Sequence, residues 1–301
     1  MTSTDSCPSC GQPRTTRHCG TCGERRLDPD ELSFRRFLHS LAEELLPGFE
    51  PDEPGAVRRM GGRVYRTVYT LFRYPGRLTA DYIAGRRRPY LKPVQVFLAV
   101  ALVFFLFGHH YFQFRLSGYY RAPFLGEVAP AAQLEQQRLK LSQAEYEERF
   151  DGRLAEHKKA VMALTVPLFA VAFMPLFRRR GYGEHLVFSV HFFALQLLFM
   201  ITVMFAFSWL AYVFAEAIAR SAPRLAGGIQ AALNSDLGNV LLVYTPLYVY
   251  LVLALQRVYG GRRLVNAIKG FALVIWHIVM LVVVFRHTLF FTTFYSLKWF
   301  D

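Results

Sequence analysis

Four cysteines near the start of the chain have the spacing of a metal site. The sequence reads Cys7-Pro-Ser-Cys10-Gly and then Cys19-Gly-Thr-Cys22-Gly. Each C-x-x-C pair places two thiolates on a tight turn, and the glycine that follows lets the backbone turn around a metal ion. Two such turns close a tetrahedral site. We therefore predict a structural Zn²⁺ site whose ligands are Cys7, Cys10, Cys19 and Cys22.

Other uses of these thiols are less compatible with the sequence. Two disulfides would require an oxidising compartment, whereas the orientation derived below places this segment in the cytosol. A redox-active pair is disfavoured because no thioredoxin-like strand and helix surrounds it. His18 is able to replace one ligand, although four cysteines suffice. So short a segment has little core, so metal binding would supply most of its folding free energy.

Ionisable residues within apolar segments are a second set of candidates, because placing them in a bilayer is costly. The set is His109, His110, Glu184, His185, His191, Gln196, His277, Arg286 and His287. Glu184 and His191 share a helix face, so these two, with His277, are the candidates for catalysis, a proton relay or a second metal site. The simpler interpretation pairs Glu184 with the arginines at 178–180 and makes His277 a hydrogen-bonding group between helices. The sequence favours the simpler interpretation.

Composition assigns the chain to the membrane proteins. Hydrophobic residues make up 53% of the chain, and 28 Phe exceed what one soluble core requires. We predict a mainly α integral membrane protein with about five transmembrane helices and a small N-terminal four-cysteine zinc ribbon. The predicted spans are about 94–112, 160–177, 186–208, 237–255 and 268–291. The predicted domains are a cytosolic ribbon at 1–26, an amphipathic, Arg-rich juxtamembrane region at 27–92, and a transmembrane domain at 93–301 with an exposed loop at 113–159.

The juxtamembrane region combines helical patterns with clustered positive charge. One amphipathic helix is predicted at 30–46, and a second pattern at 57–71 fits either a helix in the headgroup plane or one packed on the bundle. Residues 58–92 contain ten Lys or Arg and one acid. Such clusters bind anionic lipid, so the predicted lipid-binding residues are Arg77, Arg86, Arg87, Arg88 and Lys92. Nucleic acid is disfavoured as a partner, because membrane geometry already explains the basic run.

The distribution of basic loops predicts orientation. Basic residues at 58–92, 178–180 and 257–269 fall on one side of the predicted spans. Positive loops stay in the cytosol, so we expect a cytosolic N-terminus and an outward C-terminus. The polar start of the chain shows no apolar signal segment.

The order of motifs resembles a known family. After the cysteine pairs come Arg73-Tyr-Pro-Gly, the run G-R-R-R-P-Y-L-K-P at 85–93, and G-E-H-L-V-F at 183–188. This order resembles bacterial zinc-ribbon, multi-pass membrane proteins that carry domain of unknown function 3667. The resemblance covers most of residues 7–200 and implies the bacterial cytoplasmic (inner) membrane. It brings no activity with it.

The functional hypotheses follow from what is present and from the motifs that the sequence lacks. It contains no H-E-x-x-H, no membrane di-iron histidine boxes, no G-x-x-x-x-G-K-[ST] and no G-x-S-x-G. We expect a non-enzymatic scaffold or regulator that recruits an unidentified cytosolic protein partner through the ribbon. The alternative is a membrane enzyme or small transporter that uses intramembrane His and Glu residues. Nucleic-acid tethering ranks third, and homo-oligomerisation stays open.

Overall fold

The computed structural model describes residues 5–14, 16–26, 35, 56–108, 115–120, 128–221 and 236–300. Within the helices, side chains at 56–60, 128–129, 204, 207–221, 236–240 and 300 are left undescribed. The amphipathic helix predicted at 30–46 lies outside the described residues, as do His109 and His110.

Two short strands and a series of helices make up the described chain. Strand β1 (Asp5–Ser6) pairs antiparallel with β2 (Pro13–Arg14), with Asp5 opposite Arg14. The helices are α1 (Ala56–Arg73), α2 (Arg77–Ile83), α3 (Pro93–Val103), α4 (Leu116–Tyr120), α5 (Val128–Leu139), α6 (Gln143–Val171), α7 (Phe173–Leu176), α8 (Tyr182–Ser221), α9 (Asp236–Tyr259), α10 (Arg263–Val279) and α11 (Arg286–Phe300). Wider π-helical turns continue α3 over Phe104–Gly108 and join α10 to α11 over Met280–Phe285.

Four helical stretches are long and apolar enough to cross a membrane. They are Gln143–Leu176, Tyr182–Val203, Leu241–Tyr259 and Arg263–Trp299, and Pro93–Phe107 is a shorter apolar helix. These stretches confirm the predicted class of a helical membrane protein with an N-terminal four-cysteine cluster. The predicted span at 94–112 corresponds to the shorter helix, and its last residues lie outside the described chain.

The predicted span at 160–177 is the end of a longer helix. α6 begins at Gln143, where the Ser142 N–H donates to Glu145 Oε2 at 2.9 Å in a capping box. Residues 143–159 belong to the exposed loop predicted at 113–159, in which the sequence indicates one or two exposed helices, and they are helical. Tyr146, Phe150 and Leu154 are buried on one face. These three residues recur at four-residue spacing and form the buried face of the helix, while polar residues occupy its other faces.

Proline explains the break between α6 and α7. The helix ends at Val171, and Pro175 lies four residues further on. A proline ring clashes with the carbonyl four residues earlier and offers no N–H, so the α-helix stops there. By contrast, Pro167 lies within the continuous α6 and Pro246 within the continuous α9.

The chain forms two compact units, each with its own core. Unit 1 consists of Met1–Gly108 and Phe173–Ala272, and unit 2 of His109–Ala172 and Leu273–Asp301. In unit 1, α3 packs along α8, and α2 contacts both α8 and α9. In unit 2, α6 packs along α11 around a core that includes Tyr119, Phe150 and Phe290.

Candidate metal centre and its docking segment

The ribbon, residues 5–26, consists of two turns with the same hydrogen-bond pattern. The Cys7 N–H donates to Gln12 O at 2.8 Å, and the Gly11 N–H returns to Cys7 O at 2.8 Å. In the second turn, the Cys19 N–H donates to Glu24 O at 2.9 Å and the Gly23 N–H to Cys19 O at 2.7 Å. Gly11 and Gly23 have φ values of 76° and 71°, a left-handed conformation that favours glycine. The glycine after each C-x-x-C therefore closes the turn, as the sequence indicated.

The four cysteine sulfurs form one cluster. Their Sγ atoms all lie within 4.8 Å of one another, with Cys7 to Cys22 and Cys10 to Cys19 each at 3.5 Å. A metal ion with four thiolates at about 2.3 Å needs S–S distances of about 3.8 Å, so the cluster fits a tetrahedral ion. A disulfide would need about 2.05 Å. His18 is exposed and is not part of the cluster.

The backbone of the second turn favours an ionised thiol. Hydrogen bonds from the backbone at Cys22 and Thr21 lower the pKa of Cys19 to about 6. Metals bind the thiolate, so part of the ligand set is prepared for the ion before it arrives.

Glu24 connects the ribbon to the loop between α2 and α3. We call this loop, residues 84–92, the arginine loop. The Glu24 side chain is only 4% exposed, and its Oε2 accepts from the backbone N–H of Arg87 at 3.2 Å and of Arg88 at 3.0 Å. Ser9 Oγ of the first turn donates to the same oxygen at 2.6 Å. One buried carboxylate therefore binds both ribbon turns and the arginine loop together.

The side chains of the arginine loop reinforce this contact. The Arg88 guanidinium packs against the backbone of Gly23, since a Cβ added to Gly23 would lie 3.1 Å from Arg88 Nη1. The Arg87 guanidinium lies 4.1 Å from the ring centroid of Tyr82, and its Nε donates to Tyr82 O at 3.3 Å. Arg87 is half-buried by these contacts, and burial lowers the pKa of its guanidinium.

Asp81 organises the other side of the arginine loop. It is buried, accepts from Tyr90 Oη at 3.0 Å and pairs with the Arg86 guanidinium at 2.6 Å. Arg77 lies 3.7 Å from the same carboxylate. Burial and the hydrogen bond to Asp81 raise the pKa of Tyr90, so its hydroxyl remains a donor. The sequence assigned no role to Asp81 or Glu24, although Asp81 is the single acid in the basic run.

The Arg73-Tyr-Pro-Gly motif is a contact point for α9. Gly76 has a φ of 72°, and a Cβ there would lie 2.7 Å from the carbonyl oxygen of Ala254. Arg257 donates to Pro75 O at 3.0 Å, and Tyr250 Oη donates to Leu71 O at 2.9 Å. Only glycine satisfies both the backbone angle and this close approach to α9.

Four of the five predicted lipid-binding residues have exposed side chains: Arg77, Arg86, Arg88 and Lys92. Arg87 differs, since its guanidinium stacks on Tyr82. Lipid binding by this set stays a prediction.

Three polar residues of α8, Glu184, His185 and His191, each have their own partner within unit 1. Arg180 donates to Glu184 Oε1 at 3.0 Å, which is the pairing with the arginines at 178–180 that the simpler interpretation predicts. His185 Nδ1 lies 2.8 Å from Tyr259 Oη, and its ring stacks on Phe173. His191 Nδ1 lies 2.9 Å from Thr79 Oγ1 of α2. Glu184 and His191 thus engage different groups, and no shared site forms between them in the described part of unit 1.

The polar residues of unit 2 contact neighbouring helices. His277 is buried, and its ring meets Phe169 of α6 edge-on at 5.4 Å. Arg286 Nη2 donates to Gly118 O at 3.4 Å, and its guanidinium lies 5.2 Å from the Tyr119 ring centroid. His287 Nδ1 lies 2.7 Å from Val283 O in its own helix. Among the catalytic candidates, His277 therefore joins two helices of this unit.

Comparison with protein families confirms the predicted resemblance over one segment of the chain. Residues 62–105 match DUF3667, whose description is "Protein of unknown function (DUF3667)". This segment is a DUF3667 match. Comparisons with curated proteins and with solved structures gave no match.

The DUF3667 segment coincides with the contacts described above. It runs from α1 through Gly76, Asp81 and the arginine loop to the end of α3. The cysteines, at 7–22, lie before it in sequence and reach it through Glu24. The family segment is thus the part of unit 1 on which the ribbon docks.

Proposed function

We propose that this membrane protein is a non-enzymatic scaffold or regulator. In this proposal a zinc ribbon, held at the cytosolic face of the bacterial inner membrane, recruits a cytosolic protein. One observation carries it: Glu24 ties both ribbon turns to the DUF3667 segment. A module fixed in this way is presented to a partner in one orientation, which reduces the entropy lost on binding.

Zn²⁺ is the ion that best suits the cluster. Four thiolates in a tetrahedral arrangement select zinc or iron–sulfur chemistry, and paired C-x-x-C turns are typical of structural zinc. A site with four protein ligands has no open position for a substrate. This supports a structural role for the metal.

The surface offered to a partner is the outer side of the first turn. Cys10, Gly11, Gln12 and Pro13 are exposed, whereas Cys7 is buried and Ser9 faces Glu24. The exposed residues of the second turn include Arg17, His18, Arg25 and Arg26. The His18–Arg25 bridge and the hydrogen bond from Arg26 N to Arg17 O bring these four residues side by side. The ribbon thus combines a small neutral turn with a basic side, which suits an acidic protein surface.

The basic segments of unit 1 lie close together, which supports the proposed cytosolic N-terminus. His185 meets Tyr259, and Lys269 Nζ donates to Leu176 O at 2.6 Å, so 176–185 and 257–269 lie at one end of the unit. Arg257 bonds to Pro75 at that same end. Under the positive-inside rule this end faces the cytosol. The exposed Arg77, Arg86, Arg88 and Lys92 would then face anionic lipid, each contributing about 1 kcal/mol.

Photo-cross-linking in cells tests recruitment directly. A photoreactive amino acid at Gln12, on the first turn, should give a protein adduct of defined mass. Cys10→Ser should abolish the adduct while leaving the protein in the membrane at normal level, and the same probe at Gln137, exposed on α5, is the matched control. An adduct at Gln12 that persists in Cys10→Ser would remove the folded ribbon from the mechanism, and absence of any adduct would overturn recruitment at this surface.

A second candidate, a membrane enzyme or small transporter, has one supporting observation. His185 Nε2, His191 Nε2 and Gln196 Oε1 are buried on α8 without a hydrogen-bond partner among the described residues. Buried polar groups without partners are costly and occur at functional sites. If His191→Phe removes a measurable transport or enzymatic activity at unchanged protein level, this candidate replaces the scaffold; if it only lowers stability, the histidines are structural.

A further inference from the structure

Helix α1 has an inner face that is fixed to the rest of unit 1. Arg63 donates to Tyr90 O at 2.7 Å through Nη2, and Thr67 Oγ1 accepts from the Leu91 N–H at 3.1 Å. Thr67 and Leu71 are completely buried or nearly so. These residues recur at intervals of four, so they define one side of the helix.

The opposite face of α1 is aromatic and exposed. Tyr65 is 71% exposed, Tyr69 47% and Phe72 41%. The Tyr65 and Tyr69 rings stack with centroids 6.0 Å apart, and Tyr69 meets Tyr74 edge-on at 6.1 Å. We call Tyr65, Tyr69 and Tyr74 the tyrosine ladder. Leaving such a face in water is unfavourable, so it requires a partner.

The charge around the ladder selects an anionic partner. Residues 56–80 contain six arginines and no acid. The guanidinium carbons of Arg73 and Arg77 lie 5.4 Å and 5.2 Å from the centroid of the Tyr74 ring. Arg66 is exposed on the same helix. Tyrosine with arginine is the combination enriched where proteins meet the lipid headgroups.

The position of α1 then identifies that partner. The Leu241–Tyr259 stretch is a candidate membrane span, and its last turns hold the end of α1 through Gly76 against Ala254 and Arg257 on Pro75. The end of a span is where the headgroup layer begins. The C-terminal end of α1 is therefore tied to the level of the membrane surface.

We propose that the exposed face of α1, formed by the tyrosine ladder and Phe72, seats in the headgroup–acyl boundary of an anionic bilayer leaflet. The aromatic rings lie about 5–10 Å into this boundary, while Arg66, Arg73 and Arg77 bind lipid phosphates. The DUF3667 segment is then clamped between the bilayer on one side and the ribbon on the other. This role is separate from partner recruitment, because it does not involve the ribbon.

Depth-dependent quenching in nanodiscs tests the proposal on the full chain. An environment-sensitive fluorescent amino acid replaces Tyr65, whose high exposure makes the change tolerable. Val249, 52% exposed near the middle of the Leu241–Tyr259 stretch, is the lipid control, and Gln12 on the ribbon is the aqueous control. Brominated lipids should quench position 65, but more weakly than position 249, whereas position 12 should respond only to aqueous iodide.

Other quenching results would show that this face has a different partner or none. If iodide quenches position 65 as strongly as position 12, the face lies in water and the proposal is overturned. Protection of position 65 from both quenchers also overturns it, because another part of a protein then covers the face. Protection from iodide by an added single-stranded oligonucleotide, without bromine quenching, assigns the ladder to nucleic acid instead. Bromine quenching should rise when anionic phosphatidylglycerol replaces half of the phosphatidylcholine, and Arg66→Gln with Arg73→Gln should remove this rise. A lipid-independent signal would overturn the anionic part of the proposal.

Discussion

Gly76 lies directly against Ala254, with room for a hydrogen but not for a methyl group. An added Cβ would be 2.7 Å from the Ala254 carbonyl oxygen and 2.8 Å from its Cα, both of which are backbone atoms. The contact joins a tight turn near the membrane surface to a candidate span far away in sequence. It explains why the motif Arg73-Tyr-Pro-Gly ends in glycine.

Gly76→Ala should therefore destabilise unit 1. The left-handed backbone costs a non-glycine residue about 1–2 kcal/mol, and the clash adds about 1–3 kcal/mol. The expected result is a fall of several degrees in the thermal midpoint of the detergent-solubilised protein. Gly61→Ala is the matched control, because nothing lies within 4 Å of its added Cβ. Alanine there should stabilise α1 by about 0.5–1 kcal/mol. Equal midpoints for Gly76→Ala and wild type would contradict the close approach.

Glu24→Ala should release the ribbon from the arginine loop without removing its metal. The cysteine ligands are unchanged, but two backbone N–H groups lose a charged acceptor, at a cost of about 1.5–3 kcal/mol. Trypsin should then cleave after Arg86 and Arg87 roughly ten times faster, because docking no longer protects this loop. Glu24→Gln keeps a carbonyl acceptor and should give an intermediate rate. Unchanged cleavage in Glu24→Ala would show that the carboxylate does not hold the loop.

Elemental analysis should find one zinc per chain in the purified protein and none in Cys10→Ser. Removing the metal with a chelator should unfold the ribbon, because its few core residues cannot hold it alone. Cleavage after Arg87 should then rise to the Glu24→Ala level and fall again when Zn²⁺ is restored. Cys10→Ser should show the high rate with no response to chelator. More than one zinc, or metal that persists in Cys10→Ser, would direct attention to the membrane histidines, whereas iron that replaces zinc and is lost in Cys10→Ser would place iron in the cysteine cluster.

Thr79 and His191 should be energetically coupled. Thr79→Val or His191→Phe each leaves a buried polar atom without its partner, at about 1–2 kcal/mol. The double variant removes both polar groups, so its loss of stability should be smaller than the sum of the single losses. The measurement is a double-mutant cycle on thermal or denaturant unfolding. Strict additivity would mean that the 2.9 Å contact contributes nothing to stability.

How much the sequence predicts depends on how local the determining interactions are. The four cysteines lie within 16 residues, and their turns close through hydrogen bonds between near neighbours, so spacing alone predicted that they cluster. Apolar runs likewise identified the membrane helices, since a bilayer requires length and hydropathy and little else. The sequence indicated a helix in the polar segment before residue 160, but not that it continues into the predicted span, because the change from polar to apolar composition resembles an element boundary.

The interactions that only the tertiary structure decided are long-range. Glu24 meets Arg87 and Arg88, Gly76 meets Ala254, and Thr79 meets His191, all across large separations in sequence. These pairings depend on which helices pack together and in which register. The residues that neighbour each partner in sequence do not determine that packing. The sequence by itself determined a helical membrane protein with an N-terminal four-cysteine cluster. Packing decided that this cluster rests on the DUF3667 segment through one buried carboxylate, and that the histidines within the described helices have separate partners.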